Sequence, residues 1–242
     1  MKKTIGILGG MGPEATVYMF NLLIKKTEVK KDQDHIRVVI LSDPEVPPRT
    51  EAVLGDGPSP VPYLVKGVKT LKAAGADFII MPCVTAHYFI PEVKEQVDFK
   101  LVSLVEESVK WAKHNVGGLK KAGIVASTGT LKSQLFSEAF GRAGIELIAP
   151  EEKAQAEYMD AVFGEGGIKA GYTEGRPREM ILKCVRKLIE QGAEAVIAGC
   201  TEVPLVLKDA DIPVPLIEPM RITAEAGIEA AGKKQEIVNG EW

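Results

Sequence analysis

The chain repeats itself once, and this constrains its fold more than any other feature. An offset of 117 residues carries Cys83 onto Cys200, Gly75 onto Gly192 and Gly12 onto Gly129. Gly75-Ala-Asp-Phe-Ile-Ile-Met-Pro-Cys83 aligns with Gly192-Ala-Glu-Ala-Val-Ile-Ala-Gly-Cys200. Lys121-Ala-Gly-Ile-Val-Ala-Ser-Thr-Gly-Thr130 aligns with Thr4-Ile-Gly-Ile-Leu-Gly-Gly-Met-Gly-Pro13. A period this long marks a duplicated domain rather than a solenoid repeat.

Within each half, short apolar runs alternate with longer amphipathic stretches. Ile5–Leu8 reads as a buried strand, Gly9–Gly12 as a tight turn, and Pro13 opens a helix at a favoured first-turn position. Val38–Leu41, Phe78–Met81 and Leu101–Leu104 read as strands, and Ser42–Arg49 as a Pro-rich loop. A helix over 60–74 carries Val61, Leu64, Val65, Val68 and Leu71 on one face and ends at Gly75. In the second half Glu146–Ile148 and Ala195–Ala198 read as strands. Helices are expected over Glu152–Val162, Pro177–Gln191 and Arg221–Lys233. Leu216–Pro219 echoes Leu104–Glu107, so the last helix should match Glu106–His114.

Strands alternating with helices give an α/β fold with parallel sheets and right-handed crossovers. Two similar halves give two such domains related by a pseudo-twofold: residues 1–100 with 213–242, and residues 101–212. Ligands of open parallel sheets bind beyond the carboxyl ends of the strands. Both cysteines fall just past a strand end, so one active site in a cleft between the domains is expected.

Composition narrows the function classes. A net charge of −3 carries no footprint of a nucleic-acid binder. No run approaches the ~18 apolar residues of a membrane helix. The opening apolar run is too short and Gly-rich for a secretory leader, with Pro13 and Glu14 following at once. Three cysteines, an odd number, point to reduced thiols and a cytoplasmic protein. The apolar helix faces suggest a homodimer.

Two thiols at matching strand ends suggest proton transfer on both faces of one substrate. A free thiol ionises near pH 8.5, so such a pair needs help. Each cysteine is followed by Thr and then an expected helix start, whose N–H groups and positive end can lower a thiol pKa. The same groups can hold a carboxylate. Two thiolates would repel, so one ionisation is expected for the pair. Cys184, mid-helix and without a counterpart, reads as a buried apolar residue. His87 orients the site or caps a helix, and Glu202 polarises a neighbour or caps a helix.

Pro82-Cys-Val-Thr-Ala-His87 and Gly199-Cys-Thr-Glu202 resemble the paired signatures of the aspartate/glutamate racemase family, most of all its aspartate-acting members. Gly9-Gly-Met-Gly-Pro13 and Thr128-Gly-Thr130 share the resemblance, which extends over essentially the whole chain. It implies a cofactor-independent racemase acting on aspartate or a close acidic amino acid, with Cys83 and Cys200 as alternating base and acid. It implies that Arg49 and Lys169 bind the distal carboxylate. Met11, Gly12, Val84, Thr85, Thr128, Thr130, Thr201 and Glu202 would complete the substrate site. Donors after Cys83 and Cys200, with Thr85 and Thr201, would stabilise a carbanion-like transition state. One position departs: Val84 stands where the family usually has Asn, an amide that helps hold the α-amino and α-carboxylate groups. Its absence weakens the assignment of substrate more than that of reaction.

Other readings stay open. The same fold could run an isomerase, a decarboxylase or a racemase of another carboxylate, or could serve as a non-catalytic amino-acid binder. Gly10-Met-Gly-Pro-Glu-Ala15 fits a dinucleotide fingerprint, with Asp43 as a late acidic partner. No cofactor is expected. No metal site is expected either, because His35, His87 and His114 are scattered and Cys83-x3-His87 cannot close one.

Overall fold

A computed structural model of the chain describes residues 3–235. It contains two four-stranded parallel sheets with helices around them. The first half runs β1 (Ile5–Gly9), α1 (Pro13–Lys26), β2 (Val38–Ser42), α2 (Arg49–Leu54), α3 (Val61–Ala73), β3 (Phe78–Ile80), α4 (Ile90–Gln96), β4 (Leu101–Val102) and α5 (Leu104–Asn115). The second runs β5 (Lys121–Val125), α6 (Thr128–Lys132), α7 (Leu135–Arg142), β6 (Glu146–Ile148), α8 (Glu152–Phe163), α9 (Arg176–Glu190), β7 (Ala195–Ala198), β8 (Leu216–Ile217) and α10 (Pro219–Ala230). The sheet orders, β2-β1-β3-β4 and β6-β5-β7-β8, are the same arrangement twice.

The chain divides into two compact units, Met1–Glu107 with Met220–Trp242, and Ser108–Pro219. Both breaks fall after a short strand, not before it at 100/101 and 212/213 as expected. The reason is pairing: β4 is bonded to β3 and β8 to β7, so each belongs to the sheet that precedes the break. Pairing also corrects the echo near Leu216. Leu101 faces Ile79 and Leu216 faces Val196, so the counterpart of Leu216 is Leu101 rather than Leu104. The predicted strand over Leu101–Leu104 stops at Val102, and α5 begins at Leu104. The helix Arg49–Leu54, inside and just past the expected loop, carries no sequence signal beyond Pro48 before it.

The duplication holds at the level of single contacts. Gly6 lies in central strand β1, where a Cβ would sit 2.9 Å from Ala76 Cβ and 3.4 Å from Leu71 Cβ. Gly123 lies in β5, where a Cβ would meet Leu188 Cβ at 2.9 Å and Ala193 Cβ at 3.2 Å. Leu71 and Leu188 are buried residues of α3 and α9, so each glycine lets a helix close onto its sheet. Both helices turn into the next strand through a glycine of positive φ, Gly75 at 91° and Gly192 at 94°. An acidic residue then fixes the neighbouring strand's start. Asp77 accepts from the Thr4 N–H at 2.7 Å, and Glu194 from the Lys120 and Lys121 N–H groups at 2.7 and 3.0 Å.

Each sheet packs a separate apolar core. In the first unit Leu8, Leu64, Val68, Leu71, Ile79, Met81 and Phe89 are buried together with Cys83. In the second, Tyr158, Val162, Ile181, Val185, Leu188 and Val196 are buried together with Cys200. Among the described residues no helix is long and apolar enough to cross a membrane.

His87 ties the segment after β3 to the start of α5. Its Nε2 accepts from the Leu104 N–H at 3.3 Å, so Nδ1 carries the hydrogen and donates to the Cys83 carbonyl at 2.9 Å. Burial holds the ring neutral by lowering its pKa to about 4 from 6.5, against the opposing pull of the backbone at Cys83 and Val84.

Two predictions follow from these contacts. Gly6→Val and Gly123→Val should each lower stability in urea unfolding by about 1–3 kcal/mol through overpacking, and a cost near zero at either site would refute the close approach. The unfolded chain binds more protons than the folded one between pH 6.5 and about 4. Stability supplied by neutral His87 is therefore complete above pH 6.5 and is lost as pH falls towards 4. The loss should reach about 3 kcal/mol across that window, and His87→Gln should flatten this part of the pH–stability curve.

Candidate active site

The order β2-β1-β3-β4 reverses direction between β1 and β3, and the second sheet does so between β5 and β7. Carboxyl ends flanking such a switch point form the usual ligand crevice of an open parallel sheet. Cys83 follows β3 and Cys200 follows β7, so each unit carries one thiol at this position. Both are buried and unbridged, at 6% and 8% exposure.

The two thiols have different surroundings. Cys200 Sγ donates to Glu202 Oε2 at 2.9 Å. Thr201 Oγ1 donates to the same oxygen at 3.1 Å, and Lys169 Nζ forms an ion pair with Glu202 Oε1. The ammonium also lies 5.5 Å from the Phe163 ring centre. Burial pushes the Cys200 thiol well above its ordinary pKa. The Glu202 charge adds to the rise and the Lys169 charge opposes it. Cys200 is therefore a thiol at rest. This corrects the expectation of a pKa lowered by a helix start. Only a three-residue 3-10 turn, Val203–Leu205, follows it, too short to bring much dipole against burial and a carboxylate.

Cys83 is buried in the first unit's apolar core. Val84 is buried, and Thr85 opens a five-residue 3-10 turn, Thr85–Phe89. At the sequence offset, Thr85 occupies the place that Glu202 takes beside Cys200. The backbone here is fixed by Cys83 N–H to the Met81 carbonyl at 2.7 Å and by His87.

Arg49 opens α2, and its guanidinium is pinned by main-chain carbonyls. Nη1 donates to Val46 and Pro47 at 3.1 Å each, and Nη2 to Met11 at 2.9 Å. Nε is buried with no partner. That leaves Nε–H and one Nη2 hydrogen, the donors of a bidentate carboxylate contact. The carbonyl of Met11 is thus used by Arg49, while the Met11 side chain lies in the core. Gly12 caps α1, and its carbonyl accepts from the Thr16 hydroxyl at 3.0 Å. Gly10 packs against the Asp43 backbone, which would lie 2.3 Å from a Cβ there.

In the second unit, Ser127 caps α6 by accepting from the Thr130 N–H at 3.2 Å, and its hydroxyl donates to Thr130 Oγ1 at 3.1 Å. Thr130 is thereby buried in a capping network. Thr128 Oγ1 accepts from Gln155 Nε2 at 3.2 Å, and Gln155 Oε1 is buried without a partner. One turn further along α8, the Tyr158 hydroxyl is also buried without a partner. Neither residue was marked by the sequence, because a Gln and a Tyr on an amphipathic helix look like ordinary surface and core positions. Cys184 lies mid-α9, buried, its pKa raised to about 11 mainly by burial. Among the described residues no group of three or more His, Cys, Asp or Glu side chains is placed to hold a metal ion.

Comparison with known proteins points one way. The family model described as Asp/Glu/Hydantoin racemase matches residues 8–227. The broad specificity amino-acid racemase RacX of Bacillus subtilis is 25% identical over 230 residues, 93% of this chain and 96% of that protein. The Picrophilus torridus aspartate racemase structure superposes with a TM-score of 0.84 at 29% identity, covering 97% of this chain and 96% of that one. An aspartate racemase homologue from Pyrococcus horikoshii gives a TM-score of 0.73 at 25% identity, covering 96% and 100%. With the matched region taking in both sheets and both cysteines, the chain belongs to the Asp/Glu/Hydantoin racemase family.

Proposed function

We propose that the protein is a cofactor-independent racemase of aspartate or a close acidic amino acid, working through Cys83 and Cys200. The observation that carries this reading is the equivalence of the two thiols, each just past the third-placed strand of its sheet. Racemisation removes a proton from one face of Cα and delivers another to the opposite face. A pair holding a single proton between two sulfurs can do this in either direction. Cys200, hydrogen-bonded to Glu202, begins as the acid. Cys83 in its thiolate form is then the base, and the reverse reaction exchanges the roles. The net change is transfer of one proton from Cys200 to Cys83 by way of the substrate.

Arg49 supports the acidic substrate class. Its planar fork is already held by three carbonyls, and its open donors suit the side-chain carboxylate. Lys169 acts differently in this reading from the carboxylate binder suggested by resemblance. Its ion pair holds the Glu202 carboxylate in place, so that Glu202 orients the Cys200 thiol. Val84 supplies no amide for the α-amino group, which favours a lower turnover or a less selective site. The Bacillus relative named a broad specificity racemase accords with the second possibility.

Incubation with L- and D-aspartate and glutamate in D2O tests the proposal. Circular dichroism should decay to zero while NMR shows deuterium entering Cα. Reduced, folded protein that does neither with any acidic amino acid would refute it. Cys83→Ser and Cys200→Ser should each abolish racemisation. Arg49→Lys should weaken kcat/KM for aspartate about 10- to 100-fold, the worth of a charged hydrogen bond, and change kcat/KM for alanine little. Val84→Asn should raise aspartate turnover, and an unchanged or lower rate would show that the native substrate needs no amide there.

A further inference from the structure

Tyr158 is the largest side chain in the second unit's core and is fully buried. A buried tyrosine hydroxyl normally finds a partner, since leaving it without one is costly. That of Tyr158 has none. It shares a buried cluster with Cys200, and after burial the charge of Cys200 is the strongest influence raising its pKa. The phenol therefore stays protonated and can act as a donor, yet it is outside the geometry of a formed bond to the thiol.

The idle hydroxyl makes sense when both states of Cys200 are considered. As a thiol, Cys200 spends its hydrogen on Glu202, and its sulfur is only a weak acceptor. Once that proton has gone to the substrate, a thiolate faces the Glu202 carboxylate across the same 2.9 Å contact. Lys169 neutralises Glu202 from its other oxygen, and Thr201 is already donating to Glu202. The sulfur itself then needs a donor, and Tyr158 is the buried, unused one next to it.

We propose that Tyr158 is a positioning residue that donates its hydroxyl hydrogen to the Cys200 thiolate, a bond made only after Cys200 has given up its proton. The proposal rests on the reading of Cys200 as an acid–base thiol. The proton count is unchanged by it: the Cys200 proton goes to Cα, the Cα proton goes to Cys83, and the phenol keeps its own hydrogen. Because the bond exists in one protonation state only, it lowers the cost of forming the thiolate without contributing to the resting fold.

The test uses Tyr158→Phe, which keeps the ring and removes the donor. In a Cys83→Ser, Cys184→Ala background, Cys200 is the only thiol, and its alkylation by iodoacetamide at pH 8 follows the thiolate fraction. Loss of a hydrogen bond to a charged group should slow alkylation about tenfold or more. The melting temperature should stay level or rise, because a buried unpaired donor has been removed. In the protein with all three cysteines, kcat for aspartate should fall with KM little changed. An unchanged alkylation rate would overturn the proposal, as would a lowered melting temperature accompanied by no change in alkylation. If Tyr158→Phe does not fold, 3,5-difluorotyrosine at position 158, a stronger donor, should speed alkylation, and no acceleration would overturn the proposal. Alkylation needs no substrate, so a protein that fails to racemise aspartate yet shows the alkylation effect would refute the proposed function and leave the role of Tyr158 standing.

Discussion

The closure of one helix onto the central strand of each sheet is the contact on which the rest is built. In both units it depends on a glycine, Gly6 or Gly123, that leaves room for a leucine and an alanine. With α3 and α9 seated, the turns at Gly75 and Gly192 deliver β3 and β7 beside the central strands. The carboxyl ends of those strands then present Cys83 and Cys200 at the switch point of each sheet. Thiol placement is thus a consequence of backbone packing nearly a whole strand away. Duplication preserved the packing contact by contact, down to the acidic side chains that hold the strand starts.

What duplication did not preserve is the electrostatics. Around Cys200 an ordered series runs from thiol to carboxylate to ammonium, with a threonine hydroxyl feeding the carboxylate. Around Cys83 the corresponding positions are Val84 and Thr85, so no carboxylate stands where Glu202 does. Matching scaffolds therefore give the two thiols different surroundings, and the difference resides in side chains one and two positions after each cysteine. A buried thiol beside a carboxylate keeps its proton.

Much of this was legible in the sequence because it rests on periodicity and on glycine. The strands Glu146–Ile148 and Ala195–Ala198 fall where the apolar runs placed them, and the repeat gave the sheet order its symmetry. Leu101–Leu104 was misjudged because a two-residue strand running straight into a helix leaves one apolar stretch with no break between them. The domain limits differ because β4 and β8 pair back onto β3 and β7, which the residue pattern does not state. At the site, Cys83, Cys200, Arg49 and Glu202 stood out through motif context. The partner of Lys169 did not, since Lys169 and Glu202 are far apart in sequence and meet only through the fold. Gln155 and Tyr158 were invisible because nothing in a helical pattern says which buried polar atom will lack a partner.

The pinning of Arg49 has a consequence for what the site can measure. A long cationic side chain usually follows its ligand, trading reach against lost freedom. Here three carbonyls hold the guanidinium in place before anything binds. The ordering entropy is spent during folding, and the open edge of the fork sits at a set point along the chain's own frame. In the role proposed for it above, a carboxylate must come to it. Arg49 is then a fixed stop rather than a hand, sensitive to the length of what arrives as well as to its charge.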